Sequence, residues 1–178
     1  NKNEHCTFAL WTKRKDIIYM SNKLHRFPGV TTSGVSRIDF VNEYKSLIIE
    51  LVKKIRMNNL TMIHKPFDQK TVLLLNDLFR ELEYIGKDNY SLYKNFNKGI
   101  SNELVNSANL IVWDQIGTGT LQCFSSSIPT IVLWKRIYSR EVEWEKDLFK
   151  RMEKCGVIHI SVESLINEIK IFNQNPKQ

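Results

Sequence analysis

The stretch from Ser107 to Val132 constrains the fold of this chain more than any other. It reads as a strand, a glycine-threonine turn, a helix and a proline-opened strand in immediate succession. Leu110 to Trp113 is a short apolar run of the kind a parallel sheet buries on both faces. Asp114 to Thr120 turns the chain, a helix is expected over Thr118 to Ser126, and Pro129 opens the next strand at Thr130. Two strands joined through a helix must run parallel, so this unit commits the chain to a crossover sheet.

The rest of the chain repeats that alternation. Asp16 to Ser21 is a strand, with a weaker apolar stretch at His5 to Trp11 before it. After a loop at Asn22 to Ser36, Asp39 is expected to cap a helix reaching Met57. In that helix Phe40, Tyr44, Leu47, Leu51 and Ile55 recur at helical spacing, and Val41, Ile48 and Val52 widen the stripe. Leu60 to His64 reads as a strand and Gln69 to Tyr84 as one helix stopped by Gly86. Lys87 to Ile100 reads as loop with a short strand near Tyr90 to Tyr93, and Asn102 to Asn106 as one helical turn capped by Ser101. Thr130 to Trp134 is a strand, Arg140 to Lys154 a helix closed by Gly156, and Val157 to Ile160 a strand. Ser161 caps a last helix to Phe172, and Asn173 to Gln178 is expected to fray. Strands and helices alternating end to end predict an α/β fold: a Rossmann-like, doubly wound parallel sheet with right-handed crossovers. Residues 1–172 form one domain on this reading.

Composition narrows the function classes. The chain has 178 residues, 42% of them hydrophobic and 25% charged, as in an ordinary globular domain. A net charge of +7 favours anionic ligands. It comes without a basic run longer than Lys13-Arg14-Lys15, so nucleic-acid binding is not expected. Three scattered cysteines, Cys6, Cys123 and Cys155, make neither a disulfide framework nor a zinc site; Cys123 and Cys155 read as buried small apolar residues. No apolar stretch is long enough to span a membrane. That cysteine usage fits a reducing cytoplasm, and the chain, which opens Asn1-Lys2-Asn3 without methionine or signal peptide, reads as one part of a longer protein.

In a doubly wound sheet, ligands bind outside the carboxyl ends of the strands. Those ends fall at Ser21 to Arg26, His64 to Phe67, Asp114 to Thr120 and Trp134 to Arg140. They gather Lys23, His25, Arg26, His64, Lys65, Lys135 and Arg136 beside the turn Gly117-Thr118-Gly119-Thr120. Gly117 and Gly119 allow close approach to the main chain, and a helix N-terminus attracts anions. Thr118 and Thr120 offer hydroxyls to a phosphate. The same residues also suit an ordinary βα turn. A third glycine is missing where Gln122 stands, so this is no dinucleotide fingerprint, and without Gly-Lys-Ser/Thr it is no P-loop. Trp113 and Trp134 could stack on a base or sugar, or fill space between sheet and helix. Asp114 serves as a turn residue or a polar contact, and His159 reads as a core histidine satisfied by its surroundings.

The strand ending at Asp114, the Gly-Thr-Gly-Thr turn and the following Leu-Gln-Cys-Phe-Ser-Ser-Ser-Ile-Pro-Thr-Ile-Val-Leu resemble the donor-binding domain of GT-B glycosyltransferases. The helix ending Glu153-Lys154-Cys155-Gly156-Val157-Ile158-His159 is similar to their helix before a Gly-Ile strand. The nearest likeness is to bacterial surface-carbohydrate and polysaccharide-biosynthesis transferases. It is best over Ser107 to Phe172 and weaker over Asp16 to Phe67. The resemblance implies a nucleotide-sugar donor held without a metal or other cofactor. Gly117 to Thr120 would contact its phosphates, and His64 and Lys65 would face the same crevice. Gln122 stands where many relatives carry a glutamate on a ribose or sugar hydroxyl, and keeps only an uncharged acceptor. The glycan acceptor would come with a missing N-terminal domain, at the inner face of the membrane if the protein associates peripherally. No catalytic base is assigned. A non-catalytic nucleotide- or phosphate-binding module, and half of a GT-B-fold nucleotide-sugar epimerase, stand as alternatives.

Overall fold

The computed structural model describes residues 16–21, 38–94, 104, 108–135 and 143–174. Within them are six strands: β1 Asp16–Met20, β2 Thr61–Lys65, β3 Tyr90–Leu92, β4 Leu110–Trp113, β5 Thr130–Leu133 and β6 Ile158–His159. The helices are α1 Ile38–Met57, α2 Gln69–Leu74, α3 Asn76–Gly86, α4 Thr118–Ser125, α5 Lys146–Lys154 and α6 Val162–Gln174. All strand pairs are parallel, in the order β3-β2-β1-β4-β5-β6. The chain therefore winds outward in both directions from β1 and β4. The expected Rossmann-like α/β fold is present.

The two-residue period of the strands sorts side chains between two layers. Ile17, Tyr19, Met62, Leu110 and Val112 point to the layer containing α1, α3 and α6. There the helical stripe of α1 (Tyr44, Leu47, Ile48, Leu51, Val52 and Ile55) is at most 2% exposed, as its spacing predicts. Each fully buried aliphatic side chain there contributes about 1.5–3 kcal/mol of transfer free energy. Ile18, Met20 and Ile111 face the other layer and meet Cys123 of α4.

Several boundaries differ from the sequence reading. Helix α1 begins at Ile38, so Asp39 lies in its first turn rather than before it. The helix expected over Gln69 to Tyr84 breaks at Leu75. Asp68 caps α2, its Oδ1 accepting from the N–H and the hydroxyl of Thr71, each at 2.8 Å. The new start at Asn76 keeps Leu78, Phe79 and Leu82 in the core and leaves Leu73 71% exposed. Gly86 ends α3, but the left-handed residue is Lys87 (φ 48°). A Cβ on Gly86 would collide with Tyr90 and Val52, so glycine is there for close packing of α3 on β3 and α1. A 3-10 turn at Glu143–Glu145 precedes α5; 140–142 lie outside the described residues, as does most of the helical turn expected at 102–106. Ser161 caps α6 as expected, its Oγ accepting from Ser164 N at 3.2 Å, and the helix carries two residues of the expected tail.

Candidate functional site

A cavity of about 290 Å³ lies outside the carboxyl ends of β1, β2 and β4. This is where the strand order reverses direction, so the helices after β1 and β4 leave toward opposite faces and a crevice opens between them. Met20 and Ser21 come to its wall from β1, Lys65 to Phe67 from β2, and Trp113 to Gln115 from β4. Gly117 to Thr120 and Gln122, at the start of α4, close the far side.

Lys65 is the charged centre of this wall. The residue is only 6% exposed. Among the described residues no hydrogen bond or ion pair reaches its ammonium group. Burial pushes its pKa below the usual lysine value, the direction expected of a cation held without a counter-ion.

Helix α4 supplies a second electropositive element. Its cap residue, Gly117, has no side chain to satisfy the first turn. The first i→i−4 bond runs from Leu121 N to Gly117 O, so the N–H groups of Thr118, Gly119 and Thr120 precede the helical ladder. Gly117 is extended (φ −162°), a conformation open to any residue. A Cβ there would meet nothing closer than Gln115 Nε2 at 3.8 Å. Neither backbone nor packing demands glycine at this position, and the space it leaves adjoins the cavity. Gly119 is different: a Cβ there would strike the indole of Trp113, so the absence of a side chain lets helix and ring pack closely.

Of the residues assigned from sequence, Lys65, Asp114, Gly117, Thr118, Gly119, Thr120 and Gln122 share the cavity wall. Three corrections follow. The Thr120 hydroxyl is fully buried and donates to Gln115 O at 2.9 Å, tying down the turn rather than facing a phosphate. Lys135 is exposed and off the wall, because β5 is one strand removed from the reversal. His64 is 0% exposed and points away from the crevice: the alternation that sends Lys65 into the cavity sends its neighbour into the α1 layer. Lys23, His25, Arg26 and Arg136 lie outside the described residues.

His64 is the hub of a buried polar cluster beneath the cavity. The Tyr90 hydroxyl lies 3.0 Å from its Nδ1, and the hydroxyls of Ser21 and Tyr44 lie 3.3 and 3.5 Å from its Nε2. Burial pushes the imidazole pKa down to about 3, so it is neutral near physiological pH. Asp114, 1% exposed, sits at the edge of this cluster and raises the Tyr19 and Tyr44 pKa values after burial, the larger cause. Sequence reasoning places Ser21 and Phe67 at strand ends without assigning either a role, and does not single out Met20 on the wall. For Ser21 the available signal was its place directly after the first strand, at the reversal point.

The remaining candidates take structural roles. Trp134 is buried against Phe149, the rings 5.0 Å apart at 88°, and fills space as its alternative reading held. His159 is satisfied by Ser164 Oγ at 2.8 Å and Gly156 O at 2.9 Å. Cys123 is buried as expected, but Cys155, just past the end of α5, is exposed. Among the described residues no three His, Cys, Asp or Glu side chains converge as metal ligands would, and no helix is long and apolar enough to cross a membrane.

Sheet order and a cavity at the strand reversal define a Rossmann-like α/β domain with a crevice outside its strand ends. The chain belongs to the LIC12162 family of transferases, whose profile matches residues 10–177. No curated protein shows significant sequence similarity to it. Among solved structures it is similar to the molybdenum cofactor carrier protein of Chlamydomonas reinhardtii, with a TM-score of 0.52 and 14% identity. That match spans 92% of this chain and 100% of the other, and at this identity it establishes the shared fold alone.

Proposed function

We propose that the cavity holds the phosphates of a nucleotide-sugar donor, and that this chain is the donor-binding part of a GT-B-like glycosyltransferase in bacterial surface-polysaccharide assembly. The observation that carries this reading is Lys65, a lysine only 6% exposed and without a counter-ion among the described residues, sharing one cavity with the uncapped first turn of α4. A buried cation is costly until an anion joins it, and a helix N-terminus adds partial positive charge. Trp113 and Phe67 offer aromatic surface to a base or sugar. Gln122, exposed at the mouth, can accept from a hydroxyl.

In such a transfer the bond between the anomeric carbon and the phosphate oxygen breaks while the acceptor oxygen bonds to that carbon. Negative charge then grows on the departing phosphate. Lys65 and the Thr118, Gly119 and Thr120 N–H groups are preorganised to stabilise it. The acceptor and the base that takes its proton would be carried elsewhere in the functional protein. A non-catalytic phosphate-binding module is the second reading, favoured by the lack of any carboxylate other than Asp114 on the described wall.

The test is a thermal-shift screen against millimolar CMP, CDP, UDP, GDP and ADP, with inorganic phosphate as control. A ligand at 100 times its dissociation constant adds about 2.7 kcal/mol of stability. We expect one nucleotide to raise the melting temperature, Lys65→Ala to abolish the rise and Lys135→Ala to preserve it. No rise with any nucleotide, or one that survives Lys65→Ala, sinks the proposal. Binding without sugar transfer by the complete protein would select the second reading.

A further inference from the structure

We propose that Ser21 donates a hydrogen bond to the ligand in the cavity, and that His64 and Tyr90 are positioning residues that set the direction of its hydroxyl. This inference rests on the anion-binding reading above and adds a contact that no sequence motif marks.

Tyr90 is 5% exposed. Among the described residues, His64 Nδ1 is the one hydrogen-bonding partner of its hydroxyl. A neutral imidazole has one N–H and one bare nitrogen. If Nδ1 is bare, the Tyr90 O–H donates to it and both groups are satisfied. If Nδ1 carries the proton, it donates to the Tyr90 oxygen and the tyrosine's own proton loses its acceptor, a costly state for a buried hydroxyl. The arrangement with bare Nδ1 is therefore favoured, and Nε2 carries the proton.

Nε2–H then faces the Ser21 oxygen at 3.3 Å, with the Tyr44 oxygen farther off at 3.5 Å. Ser21 accepts from the histidine, so its own proton must point elsewhere. The Tyr44 hydroxyl, hydrogen-bonded to Ser21, provides one direction. The cavity, whose wall Ser21 forms, provides the other. A phosphate oxygen is the stronger acceptor and draws the proton toward itself. The imidazole takes no proton in this scheme: its low pKa makes it a poor base and a dependable neutral pivot.

The experiment combines ¹⁵N spectroscopy of the histidine rings with binding of inorganic pyrophosphate to the full chain. In the wild type His64 should show a single neutral form protonated at Nε2, with and without pyrophosphate. Tyr90→Phe should mix the two neutral forms and weaken pyrophosphate binding. Ser21→Ala should weaken it about tenfold, the loss of one charge-assisted hydrogen bond, while Ser21→Thr keeps it within about threefold. A wild-type His64 protonated at Nδ1 overturns the proposal even if every variant misfolds. So does a Ser21→Ala protein that binds pyrophosphate like the wild type when Lys65→Ala does not. If Lys65→Ala also leaves binding intact, the anion reading itself has failed, and this inference with it.

Discussion

Two neighbouring residues, His64 and Lys65, carry both the success and the failure of the sequence reading at the smallest scale. Both stand at the end of one strand and both can meet a phosphate. The period of the strand allows only one of them to face the crevice, and which one depends on where the helices lie. The same layer contains Tyr19, fully buried, whose hydroxyl has no hydrogen-bond partner among the described residues. An unsatisfied buried hydroxyl costs about 1–3 kcal/mol. Tyr19→Phe keeps the ring, its edge contact with His64 at 5.0 Å and the packing around it. We expect it to stabilise the fold by about 1 kcal/mol, read as a higher urea midpoint at unchanged slope. A lower midpoint would mean that the hydroxyl has a partner after all.

At the scale of elements, α4 shows function and stability pulling apart. Glycine is a weaker N-cap than serine by a few tenths of a kcal/mol. Gly117 has room for a side chain and a backbone conformation that serine adopts freely. Gly117→Ser should therefore leave the melting temperature unchanged or slightly higher. Its hydroxyl would also occupy the helix terminus and fill the space beside the cavity, and nucleotide affinity should fall at least tenfold. Isothermal titration beside a melting curve would check both arms; equal affinity in the variant would show that no ligand group approaches Gly117. The Gly-Thr-Gly-Thr pattern made this turn legible in the sequence. It could not separate Gly119, fixed by the Trp113 ring, or Thr120, bound to Gln115, from the glycine that leaves space for a ligand.

For the whole molecule, the buried cluster makes stability depend on pH. His64 is surrounded by Tyr19 from β1, Ser21 just after it, Tyr44 from α1, Phe79 from α3 and Tyr90 from β3, none of which carries a charge at neutral pH. Its pKa falls from 6.5 in the unfolded chain to about 3 in the fold. Below pH 6.5 the unfolded chain takes a proton that the folded chain refuses until about pH 3. Stability from this residue is therefore complete above 6.5 and is lost through that window, at up to about 1.4 kcal/mol per pH unit. His64→Gln, even if less stable overall, should flatten the slope of unfolding free energy between pH 6 and 4 by about one proton. Urea titrations across that range provide the measurement, and parallel slopes would place the acid sensitivity elsewhere.

The sequence by itself determined the strands, the helices and their parallel alternation, because periods of two and near four are local properties that water reads directly. The apolar stripe of α1 and the turn before α4 follow from it. The three-dimensional arrangement decided what depends on neighbours distant along the chain. It set the reversal between β1 and β4 that opens the cavity, the layer each strand-end residue enters, and the glycines demanded by packing rather than by turns. His64 and Tyr90 come from β2 and β3, and Ser21 directly follows β1. No window of sequence contains all three, and only the pairing of β1 with β2 and of β2 with β3 brings them together.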